Sequence, residues 1–179
     1  PSSPYLVVLG VAQDAGYPQM GCQKECCQAV WKGERSQRFV VSLALVDPVS
    51  KEKWLFEATP DIKYQVQHLD ALTPETKQLS GIFITHAHIG HYTGLAQLGR
   101  EVMGTQRVPV YALPRLLHFL TTQGPWSQLV QLHNIETYKM TPDVRIQLNE
   151  RCSVKPFLVP HRDEFSETAG FEIDFGNLR

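Results

Sequence analysis

The sequence feature that most constrains this chain is a set of three histidines within six positions, His86, His88 and His91. They follow residues 81–85, a short apolar run whose length and β-branched content are typical of a buried strand. Because side chains two positions apart in extended backbone point the same way, His86 and His88 can converge. The run therefore predicts a strand that ends in a pair of facing imidazoles.

A helix is predicted to begin near Gly90, which would place His91 in its first turn. The apolar residues that recur at helical spacing are Tyr92, Leu95, Leu98 and Val102. Three imidazoles at a strand-to-helix junction favour a metal site, because neutral imidazole binds zinc, iron, copper and nickel and leaves coordination positions open. The alternative, an ordinary surface or core histidine, fits a single histidine better than three.

The length and net charge of the chain limit the classes of molecule that it is expected to bind. With 179 residues we expect a single domain over residues 1–179. The formal net charge is -1 and no basic stripe is present, so a small-molecule substrate is expected and nucleic acid is not.

No apolar run approaches the ~20 residues of a membrane span, which predicts a soluble protein. The sequence begins at Pro1, so we expect that an initiating segment has been removed, and both cytoplasmic and exported locations stay open, as does the oligomeric state.

Strand and helix patterns alternate along the chain, which predicts an α/β fold with a sheet covered by helices. Strands are predicted at residues 5–11, 38–46, 53–58, 81–85 and 107–112, and later at 135–139, 144–148, 153–159 and 169–175. The segments 38–46 and 53–58 are expected to pair as an antiparallel hairpin. Helices are expected after residues 59–61 and over 114–120, with a short helical turn at 126–130.

His161 follows an apolar strand in the same way as His86. Loops at strand ends converge above a rigid sheet, so His161 is the leading candidate for a further metal ligand. The alternative is a loop histidine paired with Asp163 or Glu164.

A second candidate metal site lies near the N-terminus, where Cys22, Cys26 and Cys27 are spaced C-x3-C-C. Thiolates this close can hold a tetrahedral zinc, but a closed structural site needs four ligands. A fourth ligand would have to come from far away in the sequence, with Cys152 or a histidine as candidates. The alternative is a loop with ordinary buried cysteines.

The segment Thr85-His-Ala-His-Ile-Gly-His91 resembles the H-x-H-x-D-H signature of the metallo-β-lactamase superfamily. Further segments resemble one branch of it, the PqqB proteins of pyrroloquinoline quinone biosynthesis and their relatives. These segments are residues 8–19, 91–95, 108–111, 124–130 and 159–168. The resemblance implies an αββα sandwich with its metal site at one edge, incomplete at the C-terminus because the superfamily's bridging Asp and last His are expected beyond Arg179.

The resemblance also implies roles for individual residues. His86, His88 and His161 match the ligands of the first metal, and His91 matches a second-metal ligand. Gly90 stands where the superfamily has an aspartate, so one metal is expected instead of two. In the PqqB branch a C-x-C-x2-C loop holds a structural zinc; Cys22 and Cys27 match its outer positions, Lys24 replaces its middle cysteine, and Cys26 is a possible substitute.

The leading functional expectation is a metal-dependent hydrolase-like enzyme that uses Zn²⁺ to activate water. Asp163 or Glu164 is expected to orient His161 or to transfer a proton. One alternative is a non-haem Fe(II) oxygenase in the synthesis of a quinone cofactor. The other is a non-catalytic protein that keeps the fold with a degenerate site.

Overall fold

The computed structural model describes residues 2–76 and 78–175, which form two β-sheets and six helical segments. The larger sheet contains, in spatial order, β1 (Tyr5–Gly10), β2 (Ser42–Asp47), β3 (Glu52–Phe56), β4 (Gly81–Phe83), β5 (Val108–Ala112) and β6 (Ile135–Lys139). The smaller sheet contains β7 (Ile146–Gln147), β8 (Cys152–Leu158) and β9 (Ala169–Phe175). The helices are α1 (Glu25–Trp31), α2 (Ile62–Leu72), α3 (Ile89–Tyr92), α4 (Pro114–Thr122) and α5 (Trp126–Gln131), with a 3₁₀ helix at Thr93–Leu98. Within these residues, no helix has the length and apolarity needed to cross a membrane.

The directions of the strands bring the histidine segment to one edge of the larger sheet. β1, β2 and β3 pair antiparallel, which confirms the predicted β2–β3 hairpin, whereas β3–β4, β4–β5 and β5–β6 pair parallel. The carboxyl ends of β3, β4 and β5 therefore meet at the same edge. The residues that follow these strands, including the histidine segment, are brought together there.

Two apolar layers hold the fold together. On one face of the larger sheet, Leu55 and Ile82 pack with Leu69 of α2 and Leu116 of α4. On the other face, Phe83 meets the smaller sheet, with its ring centroid 5.7 Å from that of Phe171. Alternate residues of β4 thus face opposite layers, as expected for a strand buried on both sides. The described residues supply one helical layer and both sheets of the predicted αββα sandwich.

The single helix predicted from Gly90 to Val102 is wrong. The α-helix ends at Tyr92, a 3₁₀ helix follows, and Val102 is exposed. The reason is a close approach of Gly94 to the end of β3: its N–H donates to the Ala58 carbonyl at 2.8 Å, while the Ala58 N–H donates to the His91 carbonyl at 2.9 Å. Because these groups bond outside the helix, the regular α-helical ladder cannot continue.

Candidate metal centre

The side chains of His86, His88 and His161 converge, with their potential ligand atoms within 4.8 Å of one another. His86 Nε2 lies 2.9 Å from His88 Nδ1, which lies 3.3 Å from His161 Nε2. Two nitrogens bound to one tetrahedral zinc at ~2.0–2.1 Å are about 3.3 Å apart. The arrangement therefore fits a divalent metal held by three imidazoles.

Backbone contacts explain why a histidine so distant in sequence joins the other two. His161 lies in the connection from β8 to β9, and this connection is fastened to the end of β4 at two points. The Ala169 N–H donates to the Thr85 carbonyl at 3.0 Å, and the Ala87 N–H donates to the Ser166 hydroxyl oxygen at 2.9 Å. The two sheets are thereby joined at the predicted metal site.

Hydrogen bonds on the outer nitrogens select the tautomers of two of the histidines. Thr85 Oγ1 lies 2.7 Å from His86 Nδ1, and Glu164 Oε2 lies 3.2 Å from His88 Nε2. If each outer nitrogen donates its hydrogen to that oxygen, His86 Nε2 and His88 Nδ1 keep lone pairs directed at the centre of the site. Such support is typical of metal-binding histidines.

The electrostatic environment also keeps His86 neutral. Burial, together with neighbouring His91, His88 and His161, lowers the pKa of His86 to about 3. The imidazole is consequently unprotonated at neutral pH without any metal. Neutral imidazole is the form that coordinates a cation.

His91 lies beside this cluster but has different partners. Its ring centroid is 4.2 Å from that of His86, while its Nε2 lies 3.1 Å from Asp14 Oδ1 and its Nδ1 lies 3.4 Å from Glu57 Oε2. Burial lowers the pKa of His91, but the two carboxylates raise it more, so that the net shift is upward. Burial raises the pKa of Glu57, only partly offset by His91.

Asp14 and Glu57 were not identified from the sequence. Glu57 follows β3, which is parallel and adjacent to β4, so it lies at the same sheet edge. The predicted strand ran through residue 58 and was paired only with residues 38–46, so no sequence signal placed Glu57 at this edge. Glu57 also has a left-handed backbone with φ of 77°, unusual for a residue with a side chain and frequent at functional sites. Asp14 offered no signal either, because it lies in an irregular loop.

The two predicted catalytic carboxylates differ in their surroundings. Glu164 contacts His88, whereas we expected it to orient His161. The Asp163 side chain is 82% exposed, and its carboxylate lies 3.9 Å from Arg115 Nη1. Within the described residues neither carboxylate forms a hydrogen bond or ion pair with His161, because that part of the loop turns them towards other partners. A catalytic role for either residue stays a prediction.

The structure also brings Cys22, Cys26 and Cys27 together, with their sulfur atoms within 4.8 Å. Hydrogen bonding with Cys27 lowers the pKa of Cys22, while the same contact raises the pKa of Cys27. In the part of the chain that is described, no fourth donor completes this group. Cys152, a candidate fourth ligand, is buried in the apolar layer between the sheets, where burial raises its pKa to about 11.

A cavity of about 390 Å³ borders His88. Its polar lining residues are His88, Asp14, Arg162 and Glu164, and its apolar lining includes Tyr92, Phe119 and Phe165. Its size and mixed lining suit a small molecule with an apolar part.

Comparison with known proteins identifies the family. Residues 46–179 match the beta-lactamase superfamily domain. The chain is 30% identical over 128 residues to ribonuclease Z of Rippkaea orientalis, which covers 70% of this chain and 40% of that protein. It is 36% identical over 177 residues to coenzyme PQQ synthesis protein B of Ectopseudomonas mendocina, covering 88% of this chain and 56% of that protein.

A solved structure agrees with these matches. Zn²⁺-bound PqqB from Methylobacterium extorquens superposes with a TM-score of 0.79 at 24% sequence identity, covering 96% of this chain and 59% of that chain. The chain spans about half the length of the curated relatives it matches. It belongs to the β-lactamase superfamily, has a metallo-β-lactamase fold, and is similar to PqqB.

Proposed function

We propose that this chain is a metal-dependent, hydrolase-like protein in which His86, His88 and His161 hold one divalent cation, most simply Zn²⁺. The single observation that carries the proposal is the convergence of three imidazole nitrogens within 4.8 Å. The Thr85 and Glu164 contacts support it, because they leave the inward nitrogens of His86 and His88 free to coordinate.

A divalent ion at this position would supply Lewis-acid chemistry, lowering the pKa of a water ligand to about 7 and polarising a carbonyl or phosphoryl oxygen. Three protein ligands are the number found in catalytic zinc sites, since they leave a position open. Thr85 holds the His86 ring and Glu164 holds the His88 ring. The adjoining cavity of about 390 Å³ would place a small-molecule substrate next to them.

Among the predicted catalytic residues, the proposal gives Glu164 an orienting role. Its own backbone amide and His88 are among the groups that lower its pKa, so it is a weak proton acceptor near neutral pH. The proposal assigns Asp163 no part in proton transfer, because its exposed side chain faces Arg115. Nucleic acid and membranes are not proposed as partners.

The rival enzymatic function is an iron-dependent oxygenase in the synthesis of a quinone cofactor. Three histidines with open positions suit Fe(II) as well as Zn²⁺, and the names of the curated relatives connect them with PQQ synthesis. A protein with a degenerate, non-catalytic site is the remaining alternative, for which Gly90 is the supporting observation.

Metal-specific activity separates these functions. Protein purified without chelator is analysed for zinc and iron, then tested for hydrolysis of chromogenic ester and phosphodiester substrates. The proposal predicts bound zinc, together with a hydrolytic rate that His86→Ala and His88→Ala abolish. Bound iron with oxygen consumption would favour the oxygenase, and absence of stoichiometric metal would contradict both enzymatic functions.

We further propose that Cys22, Cys26 and Cys27 bind a structural Zn²⁺. The cluster of three sulfur atoms supports this proposal. Zinc that binds the thiolates of the folded chain also stabilises the fold. In a His86→Ala/His88→Ala background, zinc should remain bound and should be lost after Cys22→Ser. Equal zinc content before and after that change would contradict the assignment.

A further inference from the structure

The space beside Gly90 is filled by a side chain from a distant loop. A Cβ atom at residue 90 would lie 2.6 Å from Asp14 Cγ and 2.7 Å from both Asp14 Cα and Cβ. These separations are too short for any side chain at residue 90 while Asp14 stays in place. Asp14 therefore occupies the region into which an aspartate at residue 90 would project.

The loop that carries Asp14 is held by backbone hydrogen bonds on both sides of it. The Ala12 N–H donates to the Phe39 carbonyl at 2.9 Å, and the Val41 N–H donates to the Ala12 carbonyl at 2.9 Å. The Gly16 N–H closes the turn on the Gln13 carbonyl at 2.7 Å. Asp14 is consequently presented from an ordered turn.

The two nitrogens of His91 face two different carboxylates. Nδ1 is buried and, within the described residues, makes no hydrogen bond; it lies 3.4 Å from the Glu57 carboxylate. If Nδ1 carries the hydrogen, Nε2 presents a lone pair to Asp14 Oδ1 at 3.1 Å. Two acceptors at this distance repel each other unless a proton or a metal cation is shared between them.

The geometry points to a second divalent cation held by His91 Nε2 and the Asp14 carboxylate, with Asp14 replacing the carboxylate missing at residue 90. Ligand atoms on one zinc at ~2.0–2.2 Å are about 3.3 Å apart, close to the observed 3.1 Å. Glu57 is a positioning residue, because it lies against the opposite nitrogen of the ring.

The inference rests on the proposed function, since the second cation would adjoin the three-histidine site. The His91 and His86 ring centroids are 4.2 Å apart, and Asp14 lines the same cavity as His88. The expectation of one metal was drawn from Gly90 and from the superfamily ligands expected beyond Arg179; the inference instead predicts that a substrate in this cavity would contact two ions.

Zn²⁺ titration of metal-free protein by calorimetry tests the inference. The variants are Asp14→Ala and Glu34→Ala, the second as a control for loss of an exposed carboxylate. We expect Asp14→Ala to weaken one binding step by about tenfold or more and to leave the others unchanged. Glu34→Ala should match the wild type.

The outcomes distinguish this inference from the proposed function. If one step depends on His86 and His88 but every step is unchanged by Asp14→Ala, His91 and Asp14 share only a proton and the inference is overturned. If no step depends on His86 and His88, the proposed three-histidine site itself fails. Asp14→Asn, which preserves size while removing the charge, is measured in parallel; if Asp14→Ala does not fold, an unchanged titration of Asp14→Asn overturns the inference.

Discussion

Thr85 Oγ1 lies 2.7 Å from His86 Nδ1, so the residue before this histidine in the sequence also orients its ring. The Thr85 carbonyl accepts a hydrogen bond from Ala169 at 3.0 Å, which fastens the smaller sheet to the same point. One residue thus orients a predicted ligand and helps to bring His161 within reach.

Replacing Thr85 with valine should weaken metal binding without removing a ligand. Valine keeps the branched shape but cannot accept the Nδ1 hydrogen, so the His86 ring loses its orientation. We expect a loss of about 10- to 100-fold in metal affinity, measured by competition with a chromogenic chelator. Thr121→Val, which removes an exposed helical hydroxyl, is the control, and equal affinities of the two variants would contradict the role of Thr85.

The roles of the two neighbouring carboxylates in metal binding can be tested separately with the substitutions Glu164→Gln and Asp163→Asn. Glu164 contacts His88 at 3.2 Å but is partly exposed, so its replacement should reduce metal affinity by about tenfold, the lower end of the range for such contacts. Asp163→Asn should have little effect, since Asp163 faces Arg115. Chelator competition on both proteins measures this, and a larger effect at Asp163 would reverse the assignment.

The stability of metal-free protein should fall as the pH is lowered below about 6.5, in part because of His86. Burial and the neighbouring histidines lower the pKa of His86 to about 3, whereas an unfolded histidine titrates near 6.5. Between these values the unfolded chain binds a proton that the folded chain does not, so the contribution of His86 is complete above pH ~6.5 and declines towards pH ~3. Each pKa unit corresponds to about 1.4 kcal/mol.

Urea denaturation of metal-free wild type and His86→Gln at several pH values measures this contribution. The stability of His86→Gln should decline less steeply between about pH 6.5 and pH 4. Parallel pH profiles would mean that His86 does not resist protonation in the folded protein.

Gly94→Ala should destabilise the fold next to the site. An added Cβ would lie 2.2 Å from the Thr59 carbonyl oxygen, and relieving this overlap should cost about 1–3 kcal/mol or more. At Gly124 an added Cβ meets nothing within 4 Å, so Gly124→Ala is the matched control. Similar unfolding midpoints for the two variants would show that the turn at Gly94 tolerates displacement.

Much of the fold followed from local patterns in the sequence. The strand before His86 and the hairpin of β2 and β3 were recognisable because strand periodicity and turn residues act over a few positions. The extent of the helix after Gly90 was not, because the three-residue spacing of Tyr92, Leu95 and Leu98 fits a 3₁₀ helix as well as an α-helix. There the close approach of Gly94 to Ala58 decided the structure.

The candidate site was predictable only in part. His161 could be placed because it closely follows a predicted strand, but the contact of Glu164 with His88 depends on the path of a ten-residue connection between β8 and β9. The position of the Asp14 side chain depends on the absence of a side chain at Gly90 and on the hydrogen bonds that hold its loop to residues 39–41. Such contacts arise from packing between distant segments, which periodicity does not encode.

The most direct test of the central claim is the metal affinity of the three-histidine cluster. Metal-free wild type, His86→Ala/His88→Ala, His161→Ala and the control His68→Ala, an exposed histidine on α2, are titrated with Zn²⁺. Wild type and His68→Ala should share a binding step that His86→Ala/His88→Ala lacks and that His161→Ala weakens by about 10- to 100-fold or more. The same binding steps with unchanged affinities in all four proteins would contradict a metal centre at His86, His88 and His161.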